Sequence, residues 1–387
     1  MQRYASWARE LCLGYREEVT DDTLRRLSSN SPGGVLCPNL ERLHWSIAKN
    51  TAAPPFLRLF LSPHLKEITL CTSSYTIDVP SSLPAAAAQI ISLLPTSLEA
   101  MSVECFPGQD ETLTDVISSF ICQCGSSPRS FNTRIPLSEA AIQHVMQLPN
   151  LRSWTFTHEP PQIPLTPIFP SLEVLDFYIP KALPWLHILA SHQKGTIENL
   201  EYISFPIGTI VDPTLLSSII TFRNLVALRV GSYCSNPEGC TFRLTDNDME
   251  NLAAALPRLG TLELGKPCGF NSCSNTVASL LSISIHCLDL TVLETHLNTR
   301  TIASDMQRLL DRGAGCDKAK CELSDLTTGY FPTELPEGDI ETVMMGFKAI
   351  FPHLESVGCR GFRFKVTIHG AILLTWHILC AEYFYKA

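Results

Sequence analysis

The chain is poor in charge and concentrates neither sign. Charged residues make up 17% of its 387 positions, and 29 Lys and Arg against 38 Asp and Glu give a net charge of −9 with no dense basic run. Phosphate backbones are held by clustered Lys and Arg, so no nucleic-acid partner is expected. No apolar segment follows Met1, no Asn-x-Ser/Thr sequon occurs, and the fifteen cysteines fall at irregular spacing. Together these point to a reducing compartment, cytoplasmic or nuclear, with free and mostly buried thiols. The stretch that comes nearest to a membrane span, Val366 to Ala381, is 16 residues long and contains His369 and His377. That is short of the roughly 20 residues needed to cross a bilayer, so residues 366–387 are read as an apolar tail or capping helix and no membrane partner is expected.

Motifs that carry chemistry are also missing. There is no G-x-S-x-G elbow, no catalytic-type cysteine motif and no paired carboxylates in a setting that would split their pKa values. Gly260 to Lys266 has the G-x4-G-K spacing of a phosphate cradle, but Pro267 stands where Ser or Thr must hold magnesium. The near-neighbour pairs Cys122/Cys124, Cys234/Cys240, Cys268/Cys273 and Cys316/Cys321 lack the spacing that closes around zinc. His369 and His377 share a helical face with no third ligand. The expectation is therefore a protein that is not an enzyme and has no cofactor and no metal.

What the chain does have is apolar residues, 45% of the total, laid out in a repeat. A loop ending in Pro or a polar pair precedes L-x-x-L-x-L at CPNLERLHWS (37–46), SPHLKEITLC (62–71), PTSLEAMSVE (95–104), LPNLRSWTFT (148–157) and FPSLEVLDFY (169–178). The pattern continues at IENLEYISFP (197–206), FRNLVALRVG (222–231), LPRLGTLELG (256–265) and FPHLESVGCR (351–360). Degenerate copies at WARELCLG (7–14), PRSFNTRI (128–135) and HCLDLTVLET (286–295) bring the number to about a dozen. The leading leucines at 40, 65, 98, 151, 172, 200, 225 and 259 step by 21 to 34 residues, with one step of 53 that PRSFNTRI splits.

Alternating apolar positions put one face of a short strand inward. The segments between copies carry helical stripes, as in LTDNDMENLAAAL, where Thr245 can cap and Met249, Leu252, Ala253 and Leu256 line one side. Similar stripes occur in 113–124, 137–148 and 276–285, and Pro149 and Pro257 stop two of these helices. The expected fold is an α/β leucine-rich-repeat solenoid over residues 1–365, with a curved parallel sheet on the concave side and helices on the convex side. Stacking of units predicts one cooperative array. Residues 298–339, charged and carrying Gly313, Gly315, Pro332 and Pro336, are expected as an insertion or mobile loop.

The third, fifth and seventh residues of each unit should face outward on the concave side. They are Arg42, His44 and Ser46; Glu67, Thr69 and Cys71; Ser153, Thr155 and Thr157; Val174, Asp176 and Tyr178; Tyr202, Ser204 and Pro206; Ala227, Arg229 and Gly231; and Thr261, Glu263 and Gly265. Tyr and Arg are frequent binding hot spots, so Arg42, Tyr178, Tyr202 and Arg229 are candidate partner contacts. Asp176 and Glu263 are candidate charge anchors, and His44 and Glu67 complete the set.

With the repeats laid out, the chain resembles the leucine-rich-repeat part of the large fungal F-box protein group. The likeness rests on WARELCLG, PNLERLHWS, FLRLFLSPHLKEITL, LPNLRSWTF, LTDNDMENLAAALPRLGTLELG, and LSDLTTGY followed by IFPHLES, and spans residues 3–357. Members of that group are similar to substrate receptors of cullin-type ubiquitin ligases, in which an F-box holds the Skp adaptor and the repeats hold the target. The resemblance implies a target-binding region that recognises a protein on its concave face. No F-box precedes the first repeat in this sequence, so Skp adaptor and cullin are expected partners only if an upstream F-box exists. The alternative is a leucine-rich-repeat scaffold unrelated to ubiquitin transfer.

Overall fold

The computed structural model describes residues 7–13, 21–29, 34–46, 54–71, 83–104, 111–156, 169–179, 182–191, 199–206, 209–231, 242–265, 274–298, 300–312, 321–328, 337–359 and 362–365. The chain falls into two compact units, Met1–Tyr178 with His192–Ile197, and Ile179–Ser191 with Glu198–Ala387. Each is a run of the same repeat.

The first unit contains β1 (Glu10–Leu13), α1 (Asp21–Ser29), β2 (Arg42–Ser46), α2 (Pro54–Leu57), β3 (Glu67–Cys71), α3 (Leu83–Ile91) and β4 (Ala100–Glu104). It continues with α4 (Glu111–Gln123), β5 (Ser130–Thr133), α5 (Glu139–Met146), β6 (Ser153–Phe156) and β7 (Val174–Phe177). Its strands pair in chain order, all parallel. The degenerate copies WARELCLG and PRSFNTRI supply β1 and β5.

The second unit contains α6 (Leu183–Ser191), β8 (Tyr202–Phe205), α7 (Pro213–Ile219), β9 (Ala227–Val230), α8 (Asp246–Ala255), β10 (Thr261–Leu264), α9 (Val277–His286) and β11 (Val292–Glu294). It ends with α10 (Ile302–Asp311), β12 (Asp325–Thr327), α11 (Glu337–Ile350), β13 (Ser356–Cys359) and β14 (Phe362–Lys365). Here β8 to β13 are parallel in chain order, and β14 folds back antiparallel on β13. Within 298–339, where an insertion or mobile loop was expected, the described residues include α10 and β12, whose strand lies in register between β11 and β13 as one more repeat. Leu323 and Leu326 of that repeat are fully buried. The tail at 366–387 lies outside the described residues.

The repeat pattern maps directly onto burial. Leu40, Leu43 and Trp45 are at most 1% exposed, as are Leu225 and Leu228, and Leu259, Leu262 and Leu264 are at 0%. Each such side chain contributes roughly 1.5–3 kcal/mol of transfer free energy, so the stacked leucines supply most of the stability. The helices close the same core: Met249, Leu252 and Ala253 are buried on α8 and Leu256 is buried at its C-cap, as their spacing predicts.

Neighbouring repeats are stitched at one carbonyl each. The residue before a strand offers its oxygen to two successive N–H groups of the next repeat: Glu41 and Arg42 donate to Arg9, Lys66 and Glu67 to Glu41, Glu99 and Ala100 to Lys66, and Arg129 and Ser130 to Glu99. Gly260 and Thr261 donate to Val226 in the same way in the second unit. Side chains at these stitch positions also pair, with Glu41 at 2.8 Å from Arg9 and 3.2 Å from Lys66, and Glu173 at 3.2 Å from Arg152. Lys66 first, and then Arg9, hold the Glu41 carboxylate below its usual range. These pairs are solvated and contribute little, so the backbone stitches and the buried stripe set the register.

Helix starts follow their caps. Ser138 accepts from the Ala141 N–H, Asp212 from Leu215 ahead of Pro213, and Thr245 from Asp248 in a capping box that Asp248 returns to the Thr245 N–H. Asp246 also accepts from both the N–H and the hydroxyl of Thr276, tying the start of α8 to the start of α9.

Candidate protein-binding face

The parallel register turns the outward positions of successive strands into rows. In the first unit Glu10, Arg42, Glu67 and Ala100 stand side by side, and Cys12, His44, Thr69 and Ser102 form the adjacent row. In the second unit Tyr202, Ala227, Thr261 and Val292 form one row and Ser204, Arg229, Glu263 and Glu294 the next. Among the described residues of these rows, side chains are exposed or half-buried, while the alternate positions are buried on every strand but the first, β1, where Leu11 and Leu13 are half-buried. One face of each sheet is thus left without its own apolar cover.

All eight side chains singled out from the sequence lie on these faces. Arg42, Glu67, Tyr178 and Arg229 are exposed, whereas His44, Asp176, Tyr202 and Glu263 are half-buried. Arg42 sits 3.1 Å from Glu10. Tyr178, at 41% exposure, is an exposed aromatic of the first face; the Arg134 guanidinium lies 4.3 Å from its ring centroid and donates to its hydroxyl at 2.6 Å. On the second face Arg229 is 5.7 Å from the Tyr202 ring and 3.1 Å from Glu263. Glu263 therefore holds Arg229 in place in addition to facing solvent.

Several other outward expectations are corrected. Ser46 and Thr155 are 2% exposed and Cys71 8%. Gly265 is buried too. Ser46, Cys71 and Gly265 lie at the exit from their strands, where the chain leaves the sheet: Cys71 Sγ reaches back to the Trp45 carbonyl at 3.9 Å, and Gly265 turns in the left-handed region at φ 89°. Thr157 is outside the described residues. Arg134 was not anticipated, because it lies just past the short degenerate strand β5.

The thiols separate by burial. Cys124, Cys287 and Cys321 are buried, and desolvation raises them to about 11, about 12 and about 11 respectively, which keeps them protonated and unreactive. Cys321 therefore belongs to the core. The sulfurs of Cys287 and Cys321 donate to the backbone carbonyls of the preceding repeat, at Leu256 and Leu290. Cys12 and Cys122 are exposed. Cys234, Cys240, Cys268, Cys273, Cys316, His369 and His377 lie outside the described residues, as do Lys266 and Pro267. Glu10, Cys12 and His44 place a ligand atom each within 4.8 Å of one another, a cluster the sequence reading missed because His44 lies one repeat away from Cys12.

No family model matches the chain, and no curated protein is detectably similar to it. Among solved structures it is similar to an internalin from Listeria monocytogenes, at 15% identity and a TM-score of 0.41 over 92% of this chain and 82% of that one. So distant a likeness has no bearing on function. Strand order, parallel register and the buried repeat stripe define the chain as an α/β leucine-rich-repeat protein in both units. Among the described residues no helix is long and apolar enough to cross a membrane.

Proposed function

We propose that this chain is a non-catalytic protein-recognition module that reads its partner through the helix-free faces of its sheets. The observation that carries the reading is the pre-oriented aromatic and Arg set: Arg134 stacked on Tyr178 in the first unit, and Tyr202, Arg229 and Glu263 in the second. Rigid aromatics and planar guanidinium groups lose little conformational freedom on binding, and they supply the anchors from which most interface energy comes. Tyr202, Arg229 and Glu263 stand on short strands fixed by the repeat, and Arg134 and Tyr178 are the first residues past β5 and β7, tied to each other by the ring contact and the hydrogen bond. Arg42 and Glu67 on the first face, with His44 and Asp176, complete the recognition surface.

The finer reading is that this is the target-binding part of a cullin-type ubiquitin-ligase receptor, and its support is the sequence resemblance to the F-box group. The same faces would serve a scaffold with no role in ubiquitin transfer. The test is affinity capture from the native extract with the wild-type chain, with Tyr178→Ala and Arg229→Glu, and with a control on the helix side, Arg308→Glu. A protein retained by the wild type and the control but lost at least tenfold with either face variant supports recognition by these faces. Equal capture by all of them overturns it. Skp adaptor and cullin captured by a form extended with upstream genomic sequence would place the module in a ligase; a partner held without adaptor would leave a scaffold.

A further inference from the structure

The first strand of the first unit and its neighbour bring together three metal-ligating side chains of different chemistry. Glu10 and Cys12 are two apart on β1 and so share a face, and the parallel register sets Cys12 beside His44 on β2. Glu10 and Cys12 are exposed, His44 is half-buried, and Cys12 is a free thiol. We propose that Glu10, Cys12 and His44 form a binding site for a divalent cation of the zinc class, with three protein ligands and an open fourth position. The site shares His44 with the first recognition face, but its metal-binding test does not depend on that reading.

The donor set decides the class of metal. Magnesium and calcium take oxygen ligands only, whereas a thiolate, an imidazole and a carboxylate together suit zinc and its transition-metal neighbours. Bonds of about 2.3 Å to sulfur and about 2.0–2.1 Å to nitrogen and oxygen place tetrahedral ligands about 3.5 Å apart. The three ligand atoms, within 4.8 Å of one another, have to close by roughly 1 Å, which rotation of exposed side chains supplies without moving the strands. One Glu10 oxygen faces Arg42 at 3.1 Å; the guanidinium orients the carboxylate and leaves the second oxygen for the cation. On binding, Cys12 releases its thiol proton to solvent and His44 coordinates as the neutral ring. The fourth position is left to water or to a donor group from a bound partner.

The experiment is a titration of the full chain with cobalt(II), whose thiolate charge-transfer and ligand-field absorption report sulfur and geometry, followed by displacement with zinc. The expected result is a thiolate band that Cys12→Ser removes. His44→Ala and Glu10→Ala should each weaken cobalt affinity by at least about tenfold, since even losing an outer-sphere partner costs about 10–100-fold. Cys122→Ser, at the other exposed thiol, should leave the titration unchanged. Absence of cobalt uptake, or a band and affinity identical in wild type, Cys12→Ser and His44→Ala, overturns the proposal. Loss in Cys12→Ser with His44→Ala unaffected also overturns the three-ligand site. Unchanged far-UV circular dichroism of each variant shows that the fold is not the cause.

Discussion

Replacing a helical glycine by alanine ordinarily stabilises a protein, and at Gly346 the structure reverses that sign. The residue is buried in α11, facing Met306 of α10, itself at 0% exposure. A methyl group at Gly346 would meet Met306 Cβ and Cγ at 2.9 Å and its sulfur closer still. Carbon atoms pack best at about 3.5–4.0 Å, so both contacts are repulsive. The thioether can swing aside, but Met306 Cβ is fixed to its backbone and yields only if α10 moves. Helix propensity favours Gly346→Ala by about 1 kcal/mol, while overpacking a tight site costs about 1–3 kcal/mol. The expected net is a loss of about 1 kcal/mol, read as a lower urea midpoint at unchanged m-value and a melting point lower by about 2–4 °C. Met306→Ala alone should cost about 2–5 kcal/mol through the cavity it leaves. In that background the added methyl fills space, and the two changes should couple by at least about 0.5 kcal/mol. A Gly346→Ala variant that is stabilised by about 1 kcal/mol, with additive behaviour in the double variant, would refute the packing argument.

Three further outcomes follow from the same geometry. Thr245→Ala removes the side-chain half of the α8 capping box, leaving the backbone N–H of residue 245 to donate to Asp248, and should lower stability by about 1 kcal/mol in urea denaturation; no change would mean the cap is not formed in solution. Leu293→Ala, at a fully buried strand position of β11, should cost about 2–5 kcal/mol, whereas Glu250→Ala on the exposed side of α8 should stay within about 0.5 kcal/mol. Burial raises Cys287 to about 12 and Cys321 to about 11, so above the ordinary thiol range the unfolded chain sheds protons that the folded chain keeps. Their contribution is full below that range and is lost as pH rises toward the folded values. The urea midpoint should therefore fall between about pH 8 and about pH 10, more steeply for wild type than for a Cys287→Ala, Cys321→Ala double variant, and parallel curves would show that these thiols are not the cause.

The amino-acid order alone was enough to determine the repeat and its inward face. An apolar residue at every second strand position, as in Leu43 and Trp45 or Leu262 and Leu264, can bury itself in only one way, and the degenerate copies at Trp7, Pro128 and His286 already carried β1, β5 and β11. Thr245 and the stripe from Met249 to Leu256 fixed α8 for the same reason, since capping and periodicity are local. LSDLTTGY enters the family likeness but is not counted as a repeat, because the β12 strand in it, Asp325–Thr327, is only three residues long and a charged, glycine-containing stretch precedes it. Its place in the sheet depends on partners in β11 and β13, which belong to other repeats. The inward turn of Ser46 and Cys71, the stacking of Arg134 on Tyr178 and the meeting of Glu10, Cys12 and His44 likewise required the tertiary structure. Repeat lengths vary from 21 to 34 residues, so sequence spacing cannot say which outward side chains become neighbours. The backbone stitches between repeats and the depth at which each strand packs decide that register, and with it the chemistry of the open faces.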